Sequence, residues 1–327
     1  MQVQIIQRLE MIKPIMYANL HNHSTHSDGV YNVEEITDII KNEGYLAAAL
    51  TDHDTVTGNV EMKSACAARG MESIFGCEFM TRSDVIDKAF HLTAFDFDPD
   101  EPEMKEYLRR CSITMTEKTR IIFERGKDLE LLPKELTWDA VVRDNPGVSW
   151  LCNDHVFRTM KRMGIAEDKD YPDFYEGIFV KHGYGIAPAY PKLPLEEIVP
   201  FIRRAGGTVV VAHPHGQLDT LPYLKSLGVE GIEVWHPDLT PDEIPTALGI
   251  ARDLELYVSG GPDHSGLSGG QYSFFEDYKS SVWYVPELSC GTTKELFYEI
   301  KNRKLLPERK ELINEYLEYY STGGEGV

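Results

Sequence analysis

The sequence is poor in cysteine, in basic charge and in long apolar runs. Its five cysteines, Cys66, Cys77, Cys111, Cys152 and Cys290, form no CxxC pair and are odd in number. That pattern argues for reduced, mostly buried thiols and against a zinc cluster or a disulfide framework. No stretch approaches the roughly 18 uncharged apolar residues of a membrane span, and residues 1–16 carry Arg8, Glu10 and Lys13 where a signal peptide needs an apolar centre. A cytoplasmic protein with no membrane partner is expected. Lys and Arg total 33 against 53 Asp and Glu, a formal charge of −20. Such a field excludes a long duplex held by counterion release, while a short phosphorylated ligand can still be captured by a local cationic pocket.

What is present is an alternation of strands and helices. The length of 327 residues suits two domains or one large barrel with an insertion. Asn32 stands three residues before Glu35, an N-cap signature, and Ile36, Ile39 and Ile40 make an apolar stripe that Gly44 ends. Leu46 to Leu50 reads as the following strand, Asn59 to Arg69 as the next helix, and Ser73 to Cys77 as a short strand running into Glu78. Downstream, Leu195 to Ala205 reads as a helix and Thr208 to Ala212 as a β-branched strand of the kind buried on both faces. Gly231 to Trp235 and Leu256 to Ser259, with a helix from about Pro241 to Asp253 between them, continue the series. The expected class is α/β, a barrel spanning 15–98 and 191–305. A mainly helical insertion occupies 99–190, and 306–327 forms a C-terminal helix and flexible tail.

Histidines and acids gather where the strands end. His21 and His23 stand at i and i+2, on one face of an extended segment, and can grip one cation together. Asp28 follows, then His53 between Asp52 and Asp54, either of which could orient its ring. Glu78, His91, His213, Asp263 and His264 occupy the same kind of place further on. In a parallel barrel these strand ends share one rim. Six imidazoles and three carboxylates without thiolates suit two to three divalent ions of Mn, Zn or Fe.

In order and spacing, the segments HNHSTHSDG (21–29), TDHD (51–54), FGCEF (75–79), the isolated His91, AHP (212–214) and GGPDHSG (260–266) resemble the motifs of the PHP family of polymerase-associated and histidinol-phosphatase proteins. The resemblance implies a distorted (β/α)7 barrel with a trinuclear metal centre that hydrolyses phosphoesters. His21, His23, Glu78 and Asp263 would hold one ion; Glu78, His91 and His213 would hold a second, with the glutamate as bridge. Asp28, His53 and His264 would hold the third. The implied chemistry is in-line attack by a hydroxide held between two ions, with no phosphoenzyme. The family separates its last Asp and His by one residue, whereas Asp263 and His264 are adjacent, so either a bulge serves both ligands or one of them is not a ligand. His236 is a candidate for the acid that protonates the leaving oxygen or for a phosphate contact; the plainer alternative is a rim histidine bonded to a loop carbonyl. His26 and His215 match no ligand position.

The insertion is expected to choose the substrate. Residues 105–127 hold seven basic against three acidic side chains in an otherwise acidic protein. Lys118, Arg120 and Arg158 are candidates to hold a second phosphate, against the alternative of an ordinary solvated helix face. The layout resembles the PHP branch of nucleoside 3′,5′-bisphosphate phosphatases and short-RNA 5′-exonucleases, so a small phosphorylated substrate is expected, with short RNA ends as a further class. That branch carries Gly-Arg-x-His in the insertion. Here the stretch is Cys152-Asn153-Asp154-His155, which keeps His155 as a substrate-contact candidate and replaces the Arg by Asn153. Cyclic phosphodiesters, histidinol phosphate, a metal-dependent amidohydrolase reaction and a non-catalytic metal-binding module are the alternatives.

Overall fold

A computed structural model of the chain describes residues 13–263 and 290–322, apart from 184 and 187. The polypeptide runs β1 (Met16–Asn19), α1 (Val33–Asn42), β2 (Ala47–Leu50), α2 (Asn59–Ala68), β3 (Glu72–Ser83) and β4 (Lys88–Phe95) before the insertion. After it come α8 (Leu195–Arg204), β5 (Thr208–Val211), α9 (Leu221–Leu227), β6 (Gly231–Trp235), α10 (Glu243–Asp253), β7 (Tyr257–Gly260), β8 (Thr292–Thr293), α11 (Lys294–Asn302) and α12 (Arg309–Ser321). Asn32 caps α1 as its sequence demands: its side chain accepts from Glu35 N at 2.9 Å, and Glu35 accepts from Asn32 N at 3.0 Å. Ala47–Leu50 and Thr208–Val211 are buried throughout, the condition of strands covered on both faces.

The eight strands form one sheet in the order β7-β6-β5-β4-β3-β2-β1-β8. It curls until its ends nearly meet, with Leu20 N donating to Gly260 O at 3.2 Å and Thr292 Oγ1 to the same oxygen at 3.3 Å. At this seam backbone lies on backbone: a Cβ on Gly260 would sit 2.0 Å from the Gly291 carbonyl oxygen.

The α/β barrel expected from the sequence is present, but it is not all parallel. β4 runs antiparallel to both β3 and β5, and β8 antiparallel to β1. β3 extends well past Cys77 to Ser83 and turns back through residues 84–87, so Glu78 lies in mid-strand rather than at its end. In this hairpin Glu78 pairs with Thr93 and Met80 with His91. Glu78 and His91 are therefore diagonal neighbours on one face, within reach of each other. The antiparallel return places His91 on the site face, a result that a parallel barrel would have needed a strand end to achieve.

Between β4 and α8 lie α3 (Pro102–Asp128), α4 (Trp138–Asp144), α5 (Asn153–Arg162), α6 (Tyr171–Phe174), a π-helical turn (Tyr175–Val180) and α7 (Lys181–Gly183). The first half of α3 packs on the barrel core through Met104, Tyr107, Leu108 and Cys111. Its second half joins a separate apolar core with Ile122, Phe123, Val156, Phe157, Tyr171 and Phe174. All five cysteines are buried, and none is in a disulfide among the described residues; no described helix is long and apolar enough to cross a membrane. His264 and the tail from residue 323 lie outside the described residues.

Candidate metal centre

The end of β1 delivers the first ligand pair. Asn22, between the two histidines, donates to Ala49 O at 3.0 Å, and its own carbonyl accepts from Thr51 N at 2.9 Å. The β1 and β2 ends are thereby locked side by side, with His21 and His23 turned to one face. Gly261 approaches closely, since a Cβ there would lie 2.5 Å from His21 N. That contact brings Asp263, at φ 51°, beside both rings.

Glu78 is the hub. Its Oε2 lies 3.3 Å from His21 Nε2, 3.2 Å from His23 Nε2 and 3.2 Å from His53 Nδ1. Its Oε1 lies 3.0 Å from His91 Nδ1 and 3.2 Å from His213 Nε2. Asp263 Oδ1 stands 2.9 Å from His23 Nε2 and 3.4 Å from His21 Nε2. His21 Nε2, His23 Nε2, His53 Nδ1 and Glu78 Oε2 are all buried without a hydrogen-bond partner. Four orphaned polar atoms converging on one point fit a cation, because buried polar groups are otherwise satisfied.

Ligand atoms close enough to share an ion group His21, His23, Glu78 and Asp263 together, His53 with Glu78 and His91, and His23 with Asp28 and His53. The first set is the one the resemblance implies. The second differs in bringing His53 beside Glu78, with His213 on the other side of the same carboxylate. In the third, Asp28 Oδ2 is 3.6 Å from His53 Nε2 and Asp28 Oδ1 is 3.5 Å from His23 Nδ1.

The electrostatics agree with the geometry. Burial opposes ionisation of Glu78, yet His21, His53 and His91 hold its carboxyl well below the ordinary range. Burial likewise opposes ionisation of Asp263, and His21 and His23 keep it ionised. Against burial, Glu233, Asp263 and Glu78 raise His21, while Asp28, Asp263 and Glu78 raise His23. Burial also opposes the proton on His213, but Glu78 lifts its pKa to about 9. A field that draws protons onto imidazoles draws a divalent cation to the same place.

Glu233 escaped the sequence reading. From the middle of β6 it accepts from His21 Nδ1 at 3.0 Å and from His213 N at 2.8 Å. His21 thereby carries its proton on Nδ1 and offers the Nε2 lone pair to the site. The same bond steadies His213, whose φ of 29° is strained. His236 is fully buried, and its Nδ1 accepts from Asp238 N at 3.0 Å. Its neutral ring therefore bears the proton on Nε2, which has no hydrogen-bond partner and faces Asp263 Oδ2 at 3.7 Å. A hydrogen on that nitrogen points into the site, and His236 also lies close enough to His21 and Glu233 to share an ion with them.

Other expectations need correction. Neither neighbouring acid orients His53. Asp52 accepts from Ser24 N at 2.7 Å and Ser27 Oγ at 2.6 Å, and Asp54 accepts from Tyr190 Oη at 3.0 Å. His155 has both nitrogens engaged, Nδ1 accepting from Cys152 N and Nε2 donating to Thr25 O, each at 3.0 Å, so it cannot contact substrate. Arg158 is buried and donates to the carbonyls of Ser27, Asp28 and Gly29, not to a phosphate position. Arg120 is exposed on a surface hollow shared with Glu117, Glu124 and Asp128. Lys118, two residues away and so roughly 200° round the helix, lines a different cavity of about 400 Å³ with Asn153, Tyr175, Phe179 and Tyr190. Tyr190 of that cavity is linked to His53 through Trp150. Trp150 donates to Tyr190 Oη at 2.9 Å, and its ring lies 6.2 Å from the ring of His53. His26 bonds Thr57 at 2.8 Å and His215 bonds Glu243 at 2.7 Å.

Residues 19–145 match the PHP domain. This part of the chain carries a PHP domain. The domain and the relatives that follow point to one reaction class, hydrolysis of phosphoester bonds. A 3′,5′-nucleoside bisphosphate phosphatase of Chromobacterium violaceum is 29% identical over 270 residues, covering 77% of this chain and 89% of that protein. A phosphoribosyl 1,2-cyclic phosphate 1,2-diphosphodiesterase of Eggerthella lenta is 24% identical over 267 residues, covering 78% and 96%. The solved structure of a Bifidobacterium adolescentis protein classed as a metal-dependent phosphoesterase shares this fold, with a TM-score of 0.68 at 22% identity over 90% of this chain and 99% of that one.

Proposed function

We propose that this PHP protein removes a phosphate from a small nucleotide bearing a second anionic group, a nucleoside 3′,5′-bisphosphate being the substrate that best fits. The observation that supports this reading is Lys118, an ammonium lining a cavity that also holds Tyr175, Phe179 and Tyr190, one Trp150 side chain away from His53. A cation with aromatic walls suits an anionic group attached to a planar base, and the volume of about 400 Å³ suits a small metabolite. The bisphosphate phosphatase of C. violaceum supports it. Residues 99–190 act in this reading as the specificity unit on a barrel formed by 15–98 and 191–305.

His21, His23, Glu78 and Asp263 would hold one divalent ion; Glu78, His91 and His213, with His53 at the shared edge, would hold a second. Asp28 and His53, with His23 close by, would hold a third; His264, the further ligand that the resemblance implies, lies outside the described residues. When bound, two to three ions of Mn, Zn or Fe would lower the pKa of water and neutralise phosphoryl oxygens. The protein's own part is to fix the tautomers. Glu233 keeps the His21 Nε2 lone pair inward, and Asp238 N keeps the His236 Nε2–H inward, where it donates to a substrate oxygen bound beside Asp263.

A second reading has one observation in its favour. At the position where the bisphosphatase branch carries Arg, Asn153 donates to Asp154 and Tyr171, each at 2.9 Å. It brings no charge to a second phosphate, and a cyclic phosphodiester, as cleaved by the E. lenta relative, needs none. Phosphate release from the manganese-loaded protein, measured against nucleoside 5′-monophosphates, 3′,5′-bisphosphates, cyclic phosphates and histidinol phosphate with a chelated control, separates the two. A bisphosphate should give the highest kcat/KM. A cyclic diester in that place would transfer the assignment to the second reading, and chelator-resistant turnover would sink both.

A further inference from the structure

Asp28 sits at the end of a loop that leaves β1 and is gripped from two sides. On the barrel side Asp52 accepts from Ser24 N at 2.7 Å, Ser24 Oγ at 2.8 Å and Ser27 Oγ at 2.6 Å. On the other side the partners come from α5, more than a hundred residues later. His155 donates to Thr25 O at 3.0 Å. The Arg158 guanidinium donates to Ser27 O and Asp28 O at 3.3 Å each and to Gly29 O.

These contacts are built for position. Arg158 is 5% exposed and forms no ion pair with a carboxylate among the described residues, so a costly buried charge is spent on three consecutive carbonyls. A rigid guanidinium fork can hold such a row, whereas an ammonium cannot. His155 cannot switch roles, since burial and then the neighbouring Arg158 charge hold its pKa well below normal and keep it neutral. Gly29 completes the turn: a Cβ there would lie 2.3 Å from His23 O.

We propose that the insertion is itself part of the metal centre: His155 and Arg158 of α5 hold the 24–29 loop so that Asp28 faces His53 and His23, and the occupancy of that ion position depends on the insertion as well as on the barrel. Both residues are positioning residues. The inference rests on the ligand assignment above but not on the identity of the substrate, so its test reads metal and not turnover.

The test is titration of metal-free protein with manganese alone, followed by calorimetry and by metal analysis after gel filtration. Relative to wild type, Arg158→Ala should lose one tight equivalent, or bind it about 10- to 100-fold more weakly, while the remaining equivalents keep their affinity. Asp28→Asn should lose the same equivalent, and the double variant should be no worse than Asp28→Asn alone. Arg158→Ala binding every equivalent as wild type does would overturn the proposal. So would loss of all equivalents together, or additive losses in the double variant, since either marks general damage. Should Arg158→Ala fail to fold, Arg158→Lys and His155→Gln make the same test, with near-UV circular dichroism verifying the fold. Selective loss of one equivalent supports the proposal and undiminished binding refutes it. A substrate panel that fails would leave these outcomes untouched.

Discussion

Glu233 and His21 are 212 residues apart in sequence and meet at 3.0 Å, Oε2 to Nδ1, deep under the rim of the barrel. The same carboxylate oxygen takes the backbone N–H of His213 at 2.8 Å, so one buried acid from β6 fixes ligands carried by β1 and by the end of β5. Glu233→Gln keeps one oxygen for these contacts but removes the charge that holds the His21 proton and sets an N–H donor where Oε1 lies 3.1 Å from His21 Nδ1. Manganese affinity should fall about 10- to 100-fold with the fold intact, and excess metal should restore most of the turnover. Unchanged affinity in a calorimetric titration would end the role.

Glu78 is the only carboxylate among the described residues that five imidazoles approach. Glu78→Gln keeps the shape and removes the charge, leaving His21, His53 and His91 without the anion that makes their site attractive to cations. Metal content should drop, and kcat/KM should fall at least about a thousandfold, the scale of several kcal/mol of charge stabilisation. A variant that retains its metal and stays active would show that the bridge lies elsewhere.

Lys118 and Arg120 differ by two residues and by opposite surroundings. Lys118→Ala should raise KM for a bisphosphate roughly 10- to 100-fold, the range of one lost charged hydrogen bond, with a smaller effect on a monophosphate. Arg120→Ala, whose hollow is shared with three acids, should stay within about twofold for both. Steady-state kinetics of the pair decides it, and equal effects would remove Lys118 from the pocket.

Asp154 gives a pH dependence of known sign. Burial, with the charge of Asp28 adding, lifts its pKa to about 7, above the roughly 3.9 of an unfolded Asp. The native state therefore keeps a proton that the unfolded chain releases; the stability this confers is complete below about pH 4 and is lost as pH rises towards 7. Asp154→Asn stays neutral throughout. Its Tm relative to wild type should rise by several degrees between pH 5 and pH 8, and a constant difference across that interval would contradict the buried-acid assignment.

Much of the centre was legible because its ligands sit in short runs: His21 and His23 share a face by strand periodicity, and His53, His213 and Asp263 follow apolar strands. The hairpin was not. Residues 84–87, Asp-Val-Ile-Asp, contain no Asn-Gly or Gly pair to announce a tight turn, and Glu78 in mid-strand looked like a strand end. Glu233 did leave a trace, a single acid within the wholly buried Gly-Ile-Glu-Val-Trp of β6. An unpaired charge there is untenable, so a partner had to exist. His155, Arg158 and Arg120 show the limit of composition. A cluster of basic residues indicates where cations are, but only packing decides whether they face a ligand, a neighbouring carbonyl or solvent.

The order of the sheet also sets a timetable. From β1 to β7 each strand lies beside the one made just before it, so a chain emerging during synthesis can add strands in sequence. Two junctions must wait. Arg158 follows Asp28 by 130 residues, on the order of ten seconds at usual rates of synthesis, and until then the loop that bears Asp28 has only its barrel-side hold. Met16 must wait longer for its antiparallel partner Thr293 at the seam. A nascent chain can thus present His21 and His23 well before it owns a complete cage, and a cation arriving early meets a half-built site from which it can still escape.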